Sequence, residues 1–286
     1  SDRLVEAWAI GEKAGNRYDV EGHQIEDEYV ETAEPLSRSP EERSIIAKRV
    51  IAEKCLYGVD MNPLAVELAK LSLWLTTLSK GHPFGFLDHN LKSGNSLLGI
   101  DDLNQVIDLS MTPDKTNQER LFGRSISEAV TAATEIRHSL REIPIRDIKD
   151  VERMANMDRE SRELIQLPIL LADALVGIEL AEANARNRNE RIEVLAGLAD
   201  DAARGNSAIL SNIRVKTVED LETDNPSDAL RKPFHWPLEF PEVFGRENGG
   251  FDAIVGNPPF LGGKRITGAN GTSFRNFIVR HIAGNQ

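Results

Sequence analysis

The chain has 286 residues, with 34 Lys and Arg against 46 Asp and Glu and a formal net charge of −12. A hydrophobic content of 40% suits one large or two ordinary globular domains and excludes disordered, collagen-like and disulfide-stapled chains. The lone Cys55 cannot close an internal disulfide and fits a reducing, cytoplasmic compartment; no apolar stretch is long enough to span a membrane; and the acidic total, taken at face value, argues against a nucleic-acid partner.

Before Tyr57 the sequence predicts a charged helix over about Asp2 to Gly15, a polar, acid-rich loop to Ser39, and a helix from Pro40 to about Cys55. That helix opens on Ser39-Pro40-Glu41-Glu42: an N-cap hydroxyl, a proline where the missing N–H costs nothing, and two acids at the positive end. Leu56 to Val59 is a short apolar run ending at Asp60, and Asn62-Pro63 opens a periodic helix over Leu64 to Leu78. One face of that helix carries Leu64, Leu68, Leu71 and Leu75. Strand, acid, turn and helix form the βα unit of an α/β sheet. Leu91 to Leu97 then reads as a short strand edge and loop.

The middle of the chain is built differently. Between Asp101 and Pro233 the only aromatic residue is Phe122, whereas Phe234 to Phe260 holds six. Apolar residues recur at helical spacing: Ile126, Val130, Ala133, Ile136 and Leu140; then Leu164, Leu167, Leu171, Leu175 and Ile178; then Ile192, Leu195 and Leu198. Pro144 and Pro168 mark breaks, and Asn184 to Asn189 reads as a polar turn. This is a helical segment packed on a core domain, with a partner-binding or DNA-backbone role as the alternative. Near the far end, Phe251 to Val255 is predicted as an apolar strand leading into Gly256-Asn257-Pro258-Pro259-Phe260.

Two places carry chemistry. An acid at the carboxyl end of a strand, such as Asp60, is where α/β folds hydrogen-bond ribose hydroxyls; acids also end strands merely as N-caps, and Asn62 could cap the helix instead. Asn257-Pro258-Pro259-Phe260 is more specific. A purine's exocyclic amine is a poor nucleophile because its lone pair is delocalised into the ring. Two acceptors gripping its N–H hydrogens, the Asn257 side-chain carbonyl and the Pro258 backbone carbonyl, can pull the nitrogen toward tetrahedral geometry. Phe260 offers a face on which an extruded base can stack. A proline-stiffened turn with a buried Phe accounts for the same residues without chemistry.

At these residues the sequence resembles the DNA adenine-N6 methyltransferases that use S-adenosylmethionine. Asn257 to Phe260 is similar to their catalytic motif, Tyr57-Gly58-Val59-Asp60-Met61-Asn62-Pro63 to their second motif, and Ser93-Gly94-Asn95-Ser96-Leu97 to their third. Phe234-His235-Trp236-Pro237-Leu238-Glu239-Phe240-Pro241-Glu242-Val243-Phe244 and Phe260-Leu261-Gly262-Gly263-Lys264-Arg265 resemble, more narrowly, the large methylases of type IIG-like restriction–modification and phage-defence enzymes. The resemblance implies an α/β class I methyltransferase sheet of Rossmann-like type, present in part. Residues 1–103 and 234–286 would be core, and 104–233 a long helical insertion.

The resemblance also implies roles. Asp60 would bind the ribose hydroxyls of S-adenosylmethionine, Met61 would pack on its adenine, and Asn95 would accept or donate at that adenine's edge. Asn257 and Pro258 would hold the target amino group and Phe260 would stack on the flipped base. No metal is implied, and the six histidines show no ligand spacing. The family's first motif, an acidic strand end leading into a Gly-x-Gly loop, has no counterpart: no two glycines here are separated by one residue. The chain is therefore expected to be a fragment, without a target-recognition domain, that alone binds cofactor weakly and is inactive. Double-stranded DNA is the expected partner. From Ala253 to Gln286 there is no acid, and Lys264, Arg265, Arg275 and Arg280 make the lip of the motif locally basic. Lys264 and Arg265 would meet phosphates beside the flipped base, unless they are simply solvated charges. Cys55 is expected to fill core, and Trp236, Phe240 and Phe244 to pack together. Two alternatives stay open: methylation of a protein glutamine amide or an RNA base, and an inert helical interaction module.

Overall fold

The computed structural model describes residues 1–19, 22–25, 35–77, 87–113, 121–143, 145, 147–223, 230–257 and 263–283. The chain divides into two compact units, Ser1–Ser93 with Ser139–Asp158, and Gly94–His138 with Arg159–Gln286.

In the first unit, α1 (Asp2–Lys13) and α2 (Pro40–Lys54) pack around Trp8, Leu36 and Ala47. The start of α2 forms as its sequence dictates: the Ser39 hydroxyl accepts from the Glu42 N–H and Pro40 occupies the first turn. Arg43 of α2 also forms a two-pronged pair with Glu12 of α1, at 2.9 and 2.6 Å. Two parallel strands, β1 (Gly58–Asp60) and β2 (Leu91–Ser93), pair in the register Gly58↔Leu91, Val59↔Lys92, Asp60↔Ser93. They are joined through α3 (Pro63–Thr76), so that β1, α3 and β2 make a βαβ unit around Val66, Leu87 and Leu91. Lys70 of α3 is buried there and neutralised by Glu67 at 2.7 Å and Asp88 at 2.5 Å. A third cluster, Leu140, Ile143, Ile145 and Met154, is tied to α2 by Arg49, which donates to the Ile145 carbonyl at 2.9 Å.

The second unit contains most of the core. After the short α4 (Leu103–Ile107) come the helices α5 (Leu121–Glu142), α6 (Ile148–Leu164), α7 (Gln166–Ala181), α8 (Ala185–Ala203) and α9 (Ser207–Leu221); α5, α7 and α8 follow where the apolar spacing places them, whereas α6 and α9 are not marked by it. The opening residues of α5 and the closing residues of α6 belong to this unit. Of the sixteen residues of α7, ten are buried, which makes it the central helix, with α4, α8, α9 and the later α12 against it. Two four-residue helices, α10 (Trp236–Glu239) and α11 (Pro241–Phe244), precede α12 (Gly263–Ile278) and a π-helical turn, Val279–Ala283. Gly271, at φ 84°, interrupts α12. No single described helix is long and apolar enough to cross a membrane.

Several local expectations fail for identifiable reasons. Phe251 to Val255 is no strand: residues 251–257 have no ladder partner among the described residues, and Val255 is 99% exposed. A strand exists only by pairing, and no described strand lies beside this one to supply the second row of donors and acceptors. The expected polar turn at Asn184 to Asn189 is the start of α8, because the Asn184 side chain accepts from the N–H groups of Arg186 and Asn187. Cys55 does not fill core. It follows the last residue of α2 as its C-cap and is exposed.

Candidate functional site

In the first unit, the β1–α3 turn carries the predicted residues Asp60 and Met61. Asp60 is the last residue of β1 and is exposed. Two functions compete for its carboxylate, a helix cap and a ligand contact, and the structure separates them. The Asn62 side chain takes the cap, accepting from the Leu64 N–H at 3.0 Å, with Pro63 in the first turn. Asp60 Oδ1 accepts from the Asn62 N–H at 2.7 Å, which fixes the side chain's orientation but uses one oxygen. The carboxylate therefore stands oriented at the strand end with acceptor capacity to spare. Met61, beside it, is 64% exposed.

Asn95 and Asn257 lie in the second unit, Gly94–His138 with Arg159–Gln286. Asn95 begins a tight turn: its Oδ1 accepts from the Leu97 N–H at 3.1 Å and its backbone carbonyl from the Leu98 N–H at 3.0 Å. With Oδ1 engaged, the side-chain NH₂ is what Asn95 can offer to a ligand. The turn is laced to the segment Lys232–Trp236. Asn95 N–H donates to the Lys232 carbonyl at 2.8 Å, Phe234 N–H to the Leu98 carbonyl at 2.6 Å, and Trp236 N–H to the Ile100 carbonyl at 3.1 Å. The Trp236 indole adds a bond to the Ser96 carbonyl at 3.1 Å. Gly99, at φ 153°, is required by this closeness, since a Cβ there would come within 2.1 Å of the Phe234 carbonyl oxygen.

From Phe234 onward the aromatic residues pack as the sequence predicts. Phe251 meets Trp236, Phe240 and Phe244 edge-on, with centroids 5.8 to 5.9 Å apart, and Phe234 packs on Trp236 and Phe240. Beneath this cluster Arg137 of α5 and Glu242 of α11 form a fully buried ion pair at 3.1 Å. Phe251 thus anchors a segment without helix or strand structure that leads, six residues later, to the exposed Asn257. Pro258 and Phe260 lie outside the described residues. Lys264 and Arg265 fall in the first turn of α12 rather than in a loop.

One member of the predicted basic lip is spent elsewhere. Arg280 pairs at 2.7 Å with Glu179 of α7, which also holds Arg188 at 3.1 Å and His281 Nε2 at 3.1 Å. Burial pushes the Glu179 carboxyl up, but His281, Arg188 and Arg280 outweigh it and hold it below the usual glutamate range. A groove of about 500 Å³ lined by Ile178, Val194, Leu198 and Ile213 lies among α7, α8 and α9, and includes none of the sequence-predicted residues.

The family model of the Eco57I restriction-modification methylases matches residues 54–280. The chain belongs to this family. Every candidate from Asp60 to Arg265 lies within the matched span of the methylase. A Methanocaldococcus jannaschii protein, provisionally described as a type II restriction enzyme and methyltransferase, is 28% identical over 218 residues, covering 72% of this chain and 18% of that protein. The methylase chain therefore spans less than a fifth of this relative's length. No solved structure matches it.

Sequence reasoning missed one functional candidate inside that span, His235. It is buried, with Nε2 3.0 Å from Asp173 Oδ1 and Nδ1 3.4 Å from the Ile100 nitrogen. Its position in an aromatic block gave no warning, because its partners stand 62 and 135 residues away in sequence.

Proposed function

We propose that this methylase chain is part of the catalytic domain of a site-specific DNA methyltransferase that methylates the N6 amino group of a flipped adenine. Its core would be a class I methyltransferase-like α/β fold, with the β1–α3–β2 unit inside core residues 1–103, a helical insertion over 104–233 and a core continuation over 234–286. The observation that carries the proposal is Asn257-Pro258-Pro259-Phe260 within the span matched to a restriction-modification methylase family, with Asn257 exposed at its entrance.

The described residues fit S-adenosylmethionine as the cofactor. The oriented carboxylate of Asp60 suits the ribose hydroxyls, exposed Met61 an adenine face, and the Asn95 NH₂ an acceptor on the adenine edge. When bound, the cofactor supplies an electrophilic methyl on a sulfonium. The Asn257 side-chain carbonyl and the Pro258 backbone carbonyl accept the two N–H bonds of the target amine and localise its lone pair. Phe260 stacks on the extruded base, and Lys264 and Arg265 meet the flanking phosphates. Positioning and electrostatics supply the rate, with no covalent step on the chain.

The test is methyl transfer by the full-length protein from labelled S-adenosylmethionine, with DNA, RNA and protein offered together and the products separated. Label in DNA as N6-methyladenine is expected. Label confined to protein or RNA would contradict the proposal.

A further inference from the structure

His235 donates nothing to the chemistry proposed above, yet it is the most constrained polar side chain near the Asn95 turn. Three facts define its state. It is buried, Asp173 Oδ1 faces its Nε2 at 3.0 Å, and the backbone nitrogen of Ile100 faces its Nδ1 at 3.4 Å. A backbone N–H can only donate, so Nδ1 must accept, and the ring proton must sit on Nε2. The Asp173 carboxylate, acceptor-only when ionised, favours that same proton position. The two partners therefore select one neutral tautomer.

The consequence falls on the turn. Ile100 is held on both sides, its N–H by His235 Nδ1 and its carbonyl by the Trp236 N–H, and it closes the stretch that begins at Asn95. The other cross-links, Asn95 to Lys232, Leu98 to Phe234 and Ser96 to the Trp236 indole, run between the same two segments. Ser96 and Leu97 are exposed at the tip of the turn. The backbone at Gly99 leaves no room for sliding, since Phe234 sits where a Cβ would be. Only His235 links this paired stretch to the central helix α7, through Asp173, among the described hydrogen bonds of residues 95–100 and 232–236 to that helix.

We propose that His235 is a positioning residue for cofactor binding: in its Nε2–H tautomer, set by Asp173, its Nδ1 accepts the Ile100 N–H and so holds the Asn95–Ile100 turn that aims the Asn95 NH₂. The assignment rests on Asn95 contacting the cofactor adenine. The geometry also separates two substitutions that a general packing role would not. In His235→Asn, the side-chain carbonyl can stand close to the Nδ1 position and still accept from Ile100. In His235→Gln, the amide reaches the Nε2 position, keeps a donor for Asp173 and leaves the Ile100 N–H without a partner.

The experiment uses the full-length protein and reads three quantities: amide hydrogen exchange, S-adenosylmethionine affinity by calorimetry, and steady-state methylation. In His235→Gln, exchange over residues 95–101 is expected to accelerate while peptides of α8 and α9 are unchanged. Cofactor Kd and KM should rise about tenfold, the worth of one buried hydrogen bond, with kcat changed far less. His235→Asn is expected to restore both exchange and affinity close to wild type. Should the His235 variants fail to fold, Asp173→Ala at its partly exposed position carries the test, because it releases the tautomer and should loosen the same stretch. Equal losses in the Asn and Gln variants, unchanged exchange in Gln or in Asp173→Ala, or faster exchange with no loss of affinity would each overturn the proposal. A wild-type protein that binds no S-adenosylmethionine would instead refute the functional assignment, and the exchange comparison alone would then decide the pin.

Discussion

Helices α3 and α7 are both rich in leucine, and the structure treats them in opposite ways. Within α7, Leu171, Leu175 and Val176 are completely buried, and helices pack around them. On α3, the stripe Leu64, Leu68, Leu71 and Leu75 is between 44% and 63% exposed, while the buried contacts come from Val66 and the neutralised Lys70. Apolar spacing therefore identifies a face that wants a neighbour. Whether a neighbour is present is a property of the surrounding chain. The same contrast separates residues 251–257, which join no described strand ladder, from β1 and β2, which pair over only three residues each and still form a sheet.

The contrast can be tested by substitution. The largest effect is expected at the buried pair beneath the aromatic cluster. Arg137→Ala would remove the buried counter-charge of Glu242, at a cost of about 3–5 kcal/mol in denaturant unfolding. Replacing both partners by apolar residues of similar volume should be far milder, and equal losses in the single and double variants would show that packing rather than charge dominates there. Next comes Leu175→Ala in α7, expected to lose about 2–5 kcal/mol. The matching change on α3, Leu68→Ala, is expected to lose well under about 1 kcal/mol, since that side chain is already half in water. A large loss at Leu68 in the full-length protein would mean that the stripe is covered there.

The smallest expected effect is set by pH. The Glu179 carboxyl is held below its unfolded value, so its ionisation in the fold contributes stability above the ordinary glutamate range. That contribution is lost as pH falls through the lowered value. Glu179→Gln should remove this acid-side dependence of the melting temperature, and an unchanged slope below about pH 4 would contradict it.

How far the fold and site were legible follows from where each hydrogen bond goes. Helix ladders and caps are local, and the start of α2 at Ser39-Pro40 was readable because Glu42, the capping partner, is three residues away. Asn184 was misread as a turn residue, although a turn and an N-cap use the same side-chain oxygen; what distinguishes them is the continuation of the helix afterwards. Strand Phe251 to Val255 failed because pairing is not local. For the site, the sequence correctly left Asp60 and Asn62 as rival caps, and the 3.0 Å bond to Leu64 assigns the role to Asn62. Arg280 looked available only because its counter-charge, Glu179, is 101 residues away. The pin at His235 was hidden for the same reason.

The most direct test of the account is a single substitution at the exposed end of the segment 251–257. Asn257→Ala in the full-length methylase should leave the melting temperature unchanged, because the side chain is exposed. N6-methyladenine formation on DNA should fall by about a hundredfold or more, the cost of removing a preorganised group that acts on the reacting atom. Methylation at the wild-type rate by this variant would contradict the assignment of Asn257 as the residue that grips the target amine.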